Sequence, residues 1–230
     1  MSLSEYRIIK IETPTFINHK SNHAMYGGLR GRKGFIEQFD TYECQHFEYS
    51  EANNKEEQLL VYHDVIVGPK LCGHDGIVHG GIIAFLFDET VGWGHTIVQR
   101  RRRQRLHQQQ SRRRRHSTGN IGNDVALMDL TSSQLLDTKY GEKQQHLPML
   151  PVGVSANLNI NFRVPLPANT FVRMKTYLVK TQKRKIYLRS TIESIPDENQ
   201  SRTTESSPPT PPIILYAEAT CIMVTLTSRL

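Results

Sequence analysis

The sequence predicts an α+β domain in which an antiparallel sheet wraps one long central helix. Three observations point there. A Gly/His loop runs into an apolar segment, residues 81–93, longer than a typical strand and too short to span a bilayer. Strand patterns flank it, two before and four after. The links between the later strands are short or polar, as suits consecutive antiparallel strands.

Residues 1–30 are weakly patterned and are expected to form an accessory N-terminal extension with room for one short helix. Residues 34–49 carry Phe35, Phe39, Tyr42, Phe47 and Tyr49, a strand signature ended by a turn at residues 51–54. Residues 58–67 form the next strand, stopped by Gly68-Pro69. The central helix follows, with Gly80-Gly81 at its start, where small residues leave the first free N–H groups open to a ligand. A helix apolar on nearly all sides is wrapped by other structure. A carboxylate on it, Asp88 or its neighbour Glu89, is costly unless paired, hydrogen-bonded or used, although the pair also suits a solvated helix end.

Residues 99–145 hold blocks of arginine, a glutamine triplet and Ser/Gly/Asn-rich sequence, too little apolar surface to offset ordering entropy. They are expected to form a disordered insertion, with a transient helical turn at residues 125–130. Order returns near Leu150. In residues 154–162, Val154, Ala156, Leu158, Ile160 and Phe162 alternate with Ser155, Asn157, Asn159 and Asn161. The face bearing Leu158 is expected to cover the helix, with Ser155 on the other side. Pro165 and Pro167 close this strand. Residues 170–180, 185–195 and 213–226 give three more strands, the last two separated by a Pro/Ser-rich flexible loop at 196–212. The domain is thus expected to comprise residues 31–98 and 146–230.

The formal charge of +7 looks like a nucleic-acid signal, but nine arginines fall within residues 99–115, where there is no acidic residue. Without those nine the charge becomes −2. The globular part is near neutral, and no specific nucleic-acid partner is expected; the tract also lacks interleaved aromatics for base stacking. Cys44, Cys72 and Cys221 are far apart and form no C-x-x-C pair, so neither a disulfide framework nor a zinc site is implied. His74 and His79 have no ligand set beside them, and no metal is expected. There is no transmembrane segment or secretory signal, so an intracellular protein of cytoplasm or mitochondrion is expected.

The run His79-Gly80-Gly81, an apolar turn and a half, and Asp88 nine residues after the histidine come first. Ser155-Ala156-Asn157-Leu158-Asn159-Ile160-Asn161-Phe162-Arg163-Val164-Pro165 and the closing Glu218-Ala219-Thr220 follow. Together they resemble the hotdog-fold acyl-CoA thioesterases, in particular the PaaI-like group within the 4-hydroxybenzoyl-CoA thioesterase-like superfamily and its fungal relatives. The chain departs from the family pattern in its Arg/Gln insertion and in Ser155, where threonine is usual. The resemblance implies hydrolysis of a fatty acyl-CoA or related thioester by a homodimer or a dimer of dimers, with no cofactor beyond the CoA of the substrate. Asp88 would be general base or nucleophile, Gly81 or Gly80 the oxyanion donor, Ser155 the assisting hydroxyl, and His79 the shaper of the loop. Asn157 would contact substrate. Lys183, Arg184 and Lys185, in a turn that also reads as merely solvated, would contact the CoA phosphates. Two other functions remain open on the sequence. One is a non-catalytic acyl-CoA-binding protein of the same fold, against which Asp88 argues. The other is an enoyl-thioester hydratase, whose Asp/His motif is not found.

Overall fold

The computed structural model describes residues 7–11, 23–45, 57–117, 151–195 and 212–226, with backbone only for residues 112–117. The turn expected at residues 51–54, the helical turn at 125–130 and residues 196–211 of the loop lie outside the described residues. The chain forms two compact units, Met1–Val98 with Pro151–Leu230, and Gln99–Leu150.

In chain order, β1 (Ile8–Ile11) and β2 (Ile36–Cys44) pair with one another, and β2 pairs with β3 (Gln58–Val67). A small hairpin follows, β4 (Cys72–His74) and β5 (Ile77–Val78), turning at Gly76 with φ +70°. Helix α1 (Gly80–Ser117) comes next, then β6 (Gly153–Phe162), β7 (Phe171–Gln182), β8 (Lys185–Ser194) and β9 (Leu215–Thr225). The main sheet has the order β1-β2-β3-β7-β8-β9-β6, with every pairing antiparallel. This is the expected α+β hotdog arrangement, an antiparallel sheet with one long helix packed against it.

Two stretches differ from expectation. The N-terminal extension holds the one short helix expected of it, Ala24–Leu29 in π-helical form, but it also holds β1 and is not accessory, since Met25 is wholly buried in the core. The helix does not give way to disorder at residue 99 but runs on to Ser117. The residues explain this. From His95 to Ser117 there is no glycine or proline, and arginine and glutamine rank among the better helix formers. A segment can be too polar to pack and still be helical when it propagates from a helix already nucleated.

The helix buries Ile83, Leu86 and Phe87 against Phe39, Val65, Val172, Met174 and Ile192, and further on Val91, Ile97 and Val98 against Leu60, Leu178, Ile186 and Leu188. Helix and sheet pack closely at Gly94, where a Cβ would stand 2.9 Å from Thr176 Cγ2 and 3.3 Å from Leu188 Cδ1. The polar groups trapped there satisfy one another. Thr90 Oγ1 donates to the Phe87 carbonyl at 3.0 Å and lies 3.4 Å from Ser190 Oγ, which is 3.1 Å from Thr176 Oγ1. Among the described residues β6 ends the sheet with no strand on its outer edge, and it exposes Val154 and Phe162.

Gly94→Ala and Gly92→Ala separate helix propensity from packing. Alanine is the better helix former by about 1 kcal/mol, and at Gly92, which has nothing within 4 Å of its would-be Cβ, that gain should appear in full. At Gly94 the new methyl overpacks the core at a cost of about 1–3 kcal/mol. Urea unfolding should therefore show Gly92→Ala more stable than the parent and Gly94→Ala less stable.

Candidate functional site

The start of α1 is built by His79. Its carbonyl accepts the N–H groups of Ile82 (2.9 Å) and Ile83 (3.2 Å), and its ring Nδ1 accepts the N–H of Gly81 (2.9 Å). The ring caps the helix as a side-chain oxygen does elsewhere. It fits because residue 73 is glycine; a Cβ there would stand 2.7 Å from His79 Cδ2. The first-turn N–H groups have no partner within a helix, and Gly81, the preferred oxyanion donor, has its own taken by the histidine. Gly80, the first helical residue, stands beside the Phe162 ring, 3.5 Å from where its Cβ would be. Its N–H is the better placed of the two to meet a ligand, with the positive end of the helix dipole behind it.

Strict alternation put Ser155 on the face of β6 away from the helix, and the structure corrects this. Ser155 lies opposite Met223, while the next pair is Asn157 opposite Ile222. Ala156 is thus an extra residue, a β-bulge, which reverses the in/out alternation on either side of itself. Ser155 consequently shares the helix-facing side with Leu158 and Ile160, whose partners Cys221 and Ala219 are buried. Its hydroxyl donates a short hydrogen bond to Asp88 Oδ1 and touches Met223 Sδ at 3.3 Å. Asn157 falls on the opposite face, away from Asp88.

Asp88 is not buried as the apolar run suggested; in the single chain it is exposed. The more buried carboxylate of the two is its neighbour. Glu89 lies 3.8 Å from His23 Nε2 of the N-terminal segment, and burial, helped by the Asp88 charge, raises its pKa to about 7. Burial lowers the pKa of His23. Beside them Trp93 Nε1 donates to Tyr26 Oη at 3.1 Å, and burial pushes the Tyr26 phenol to about 12. Below Trp93 sits His63, wholly buried, 3.1 Å from Thr41 Oγ1 and held neutral by burial with its pKa down at about 3. Cys221, next to Ser155, is pushed up to about 11 by burial; the Ser155 hydrogen bond lowers it and Asp88 raises it.

Lys183 and Arg184 form the two-residue β7–β8 turn, Lys183 at φ +53°, and Lys185 opens β8. Ile186, Met223 and Ser155 share one row of the sheet. The turn therefore lies two residues beyond Ser155's row and two strands away, roughly 12 Å at the usual strand spacing. The structure thus brings together Asp88 and Ser155, sets His79, Gly80 and Gly81 at the helix start, and leaves Asn157 out. The sequence reading missed the His23–Glu89 pair, whose histidine lies in a stretch without pattern. It also missed the sulfur atoms around Ser155, which the paired spacing of Cys221 and Met223 on the last strand could have disclosed.

No protein-family model and no curated protein matches the chain. Among solved structures, yhdA of Lactococcus lactis, described as a candidate thioesterase, is 14% identical with a TM-score of 0.43, covering 84% of this chain and 96% of that one. Smu.793 of Streptococcus mutans UA159, bound to acetyl CoA, is 14% identical with a TM-score of 0.38, covering 81% and 100%. BH2602 of Bacillus halodurans, with CoA, is 17% identical with a TM-score of 0.37, covering 80% and 83%. At these values the functional reading rests on the chain's own residues.

Glu89 should show itself in a pH series. Because the folded-state pKa of Glu89 is raised, the native protein binds more protons than the unfolded chain between about 4.5 and about 7. Glu89's contribution therefore turns unfavourable as pH rises through that window, by up to about 3 kcal/mol at ~1.4 kcal/mol per unit. His63 and His23, with lowered values, act the other way, losing stability as pH falls below about 6.5. Glu89→Gln isolates the first effect. Relative to the parent, its stability in urea should improve from pH 4.5 to 7.5; a constant difference would show that Glu89 is not buried as a proton-holding acid.

Proposed function

We propose that this protein is an acyl-CoA thioesterase, hydrolysing a fatty acyl-CoA or related thioester to the free acid and CoA. The observation that carries the proposal is the bond between Ser155 and Asp88, made by two segments 67 residues apart and possible only because a bulge turns Ser155 toward the helix. Ser155 holds one carboxylate oxygen, which leaves the other to take a proton from water. The water oxygen bonds to the acyl carbon, the carbonyl oxygen gathers charge beside a helix N–H, and the C–S bond breaks to expel the CoA thiolate, which recovers the proton. Preorganised N–H donors and a general base are what this reaction needs, and a thiolate leaves without a metal. Lys183, Arg184 and Lys185, at the β7–β8 turn, offer cations for the CoA phosphates.

A complete site takes two chains in this reading. Asp88 is eight residues beyond Gly80, about 12 Å along the helix axis at 1.5 Å per residue. Attack requires base and polarised carbonyl within hydrogen-bond reach or one water apart. A second chain related by a two-fold axis supplies its helix start opposite Asp88 and receives the same in return. The β6 edge, which has no strand beside it among the described residues, its exposed Val154 and Phe162, and the exposure of Asp88 support a homodimer or a pair of dimers that covers this side.

Asp88→Asn should lower turnover by about 10²–10⁴-fold, followed as free thiol released from acyl-CoA, with the unfolding midpoint retained. Ser155→Ala should lose less, and Ser155→Thr should stay close to the parent because the hydroxyl is kept. Parent-like turnover by Asp88→Asn would reject the assignment. A fully active monomer by light scattering would reject the shared site while leaving the chemistry standing.

A further inference from the structure

Cys221 and Met223 lie two residues apart on β9, both buried, and so face the same side of the sheet. Met223 stands opposite Ser155 and Cys221 opposite Leu158, which puts both sulfur atoms on the helix-facing side. The bulge at Ala156 turns Ser155 to that side as well. Three side chains therefore meet the Ser155 hydroxyl: Asp88 from α1, and Met223 and Cys221 from β9. The proposed hydrolysis uses only the first of them.

A serine hydroxyl has one hydrogen to give and two lone pairs to receive. The hydrogen goes to the Asp88 carboxylate, since a bond to a charged acceptor is the stronger one. Met223 Sδ, 3.3 Å away, has no hydrogen to offer and competes for the same one. Of the three neighbours only the thiol can donate. Burial, which pushes Cys221 up to about 11, keeps its hydrogen on the sulfur at neutral pH. Held as a thiol and only 2% exposed, Cys221 is no nucleophile, because the thiolate is the attacking form. We infer that Cys221 is a positioning residue for Asp88: its S–H donates to Ser155 Oγ, which turns the hydroxyl hydrogen to Asp88 and away from Met223 Sδ. Without that bond the hydroxyl is free to rotate, and the second carboxylate oxygen loses its aim. The catalytic consequence rests on the thioesterase reading; the bond itself does not.

The test compares Cys221→Ala, Cys221→Ser and Ser155→Ala with Ser155→Ala/Cys221→Ala in the full chain, by free thiol released from acyl-CoA. Cys221→Ala should lower kcat by about 3–10-fold, the worth of one ordinary hydrogen bond, with KM unchanged. Cys221→Ser keeps a donor and should recover most of that loss, although a hydroxyl in a buried place should lower its urea midpoint. A merely structural role would rank activity by stability, the opposite order. In the Ser155→Ala background, Cys221→Ala should change kcat by less than about twofold, since the residue acts through a hydroxyl no longer there. The infrared S–H band that disappears in Cys221→Ala should also shift in Ser155→Ala. No rescue by serine, full additivity with Ser155→Ala, or an unshifted S–H band would each overturn the inference. A parent that releases no thiol from any acyl-CoA would instead reject the thioesterase reading, and the S–H band would still decide the bond.

Discussion

The close seat of α1 on the sheet at Gly94 is the constraint on which the rest depends. Helix and sheet cannot approach this closely if every side chain at the crossing is large, so the contact is made by Gly94, Thr90, Thr176 and Ser190. Three of these bring hydroxyls into a region without water, and buried hydroxyls cost free energy unless bonded. Here they bond to one another, to the Phe87 carbonyl and to the Lys175 carbonyl. The polar ladder works as a register mark. Sliding the helix by one residue would carry Thr90 off Ser190 and set a larger side chain against Thr176, and the same slide would separate Asp88 from Ser155. Position along the helix is fixed by packing in the core, and the site inherits it.

How far this was legible depends on the element. The strand at Gln58–Val67 and those after the helix were placed nearly to the residue, because alternation and Gly/Pro stops are local signals. β1 and the β4–β5 hairpin were not seen, since four, three and two residues are too few to show a period. The helix end was misjudged because composition was allowed to stand for conformation: arginine and glutamine forbid burial, not helicity. The side on which Ser155 lies was the instructive error. Alternation fixes a face only while the register is unbroken, and a bulge of this type has no fixed side-chain signature, Ala156 being an ordinary residue. The tension between its parity and its expected role was itself the available clue.

Asp88 and Glu89 show why a site is harder to read than a fold. Adjacent in sequence, they stand about 100° apart on the helix. That angle puts one carboxylate in the open beside a serine hydroxyl, and the other under the N-terminal segment beside His23. The apolar run suggested that the functional acid is the desolvated one. In the chain these properties are divided: Glu89 takes the burial and the raised pKa, and Asp88 takes the hydroxyl partner and the access. The N-terminal segment that creates the difference was the part of the chain with the least pattern.

The division also bears on the base role proposed for Asp88. A carboxylate has about four lone-pair sites; Ser155 occupies one, and in a single chain water can reach the others. Full hydration weakens a base by stabilising its charge. A hydrogen bond from Ser155 adds to that stabilisation, so its benefit must be geometric: it sets the rotamer and aims the second oxygen. What a lone chain lacks is removal of the remaining water. In the proposed dimer, the edge of β6 that carries Ser155 is where a covering chain has a surface to bind. Holding the carboxylate and desolvating it are therefore separate tasks, the first done by the fold of one chain and the second, in the proposed dimer, by its pairing with another.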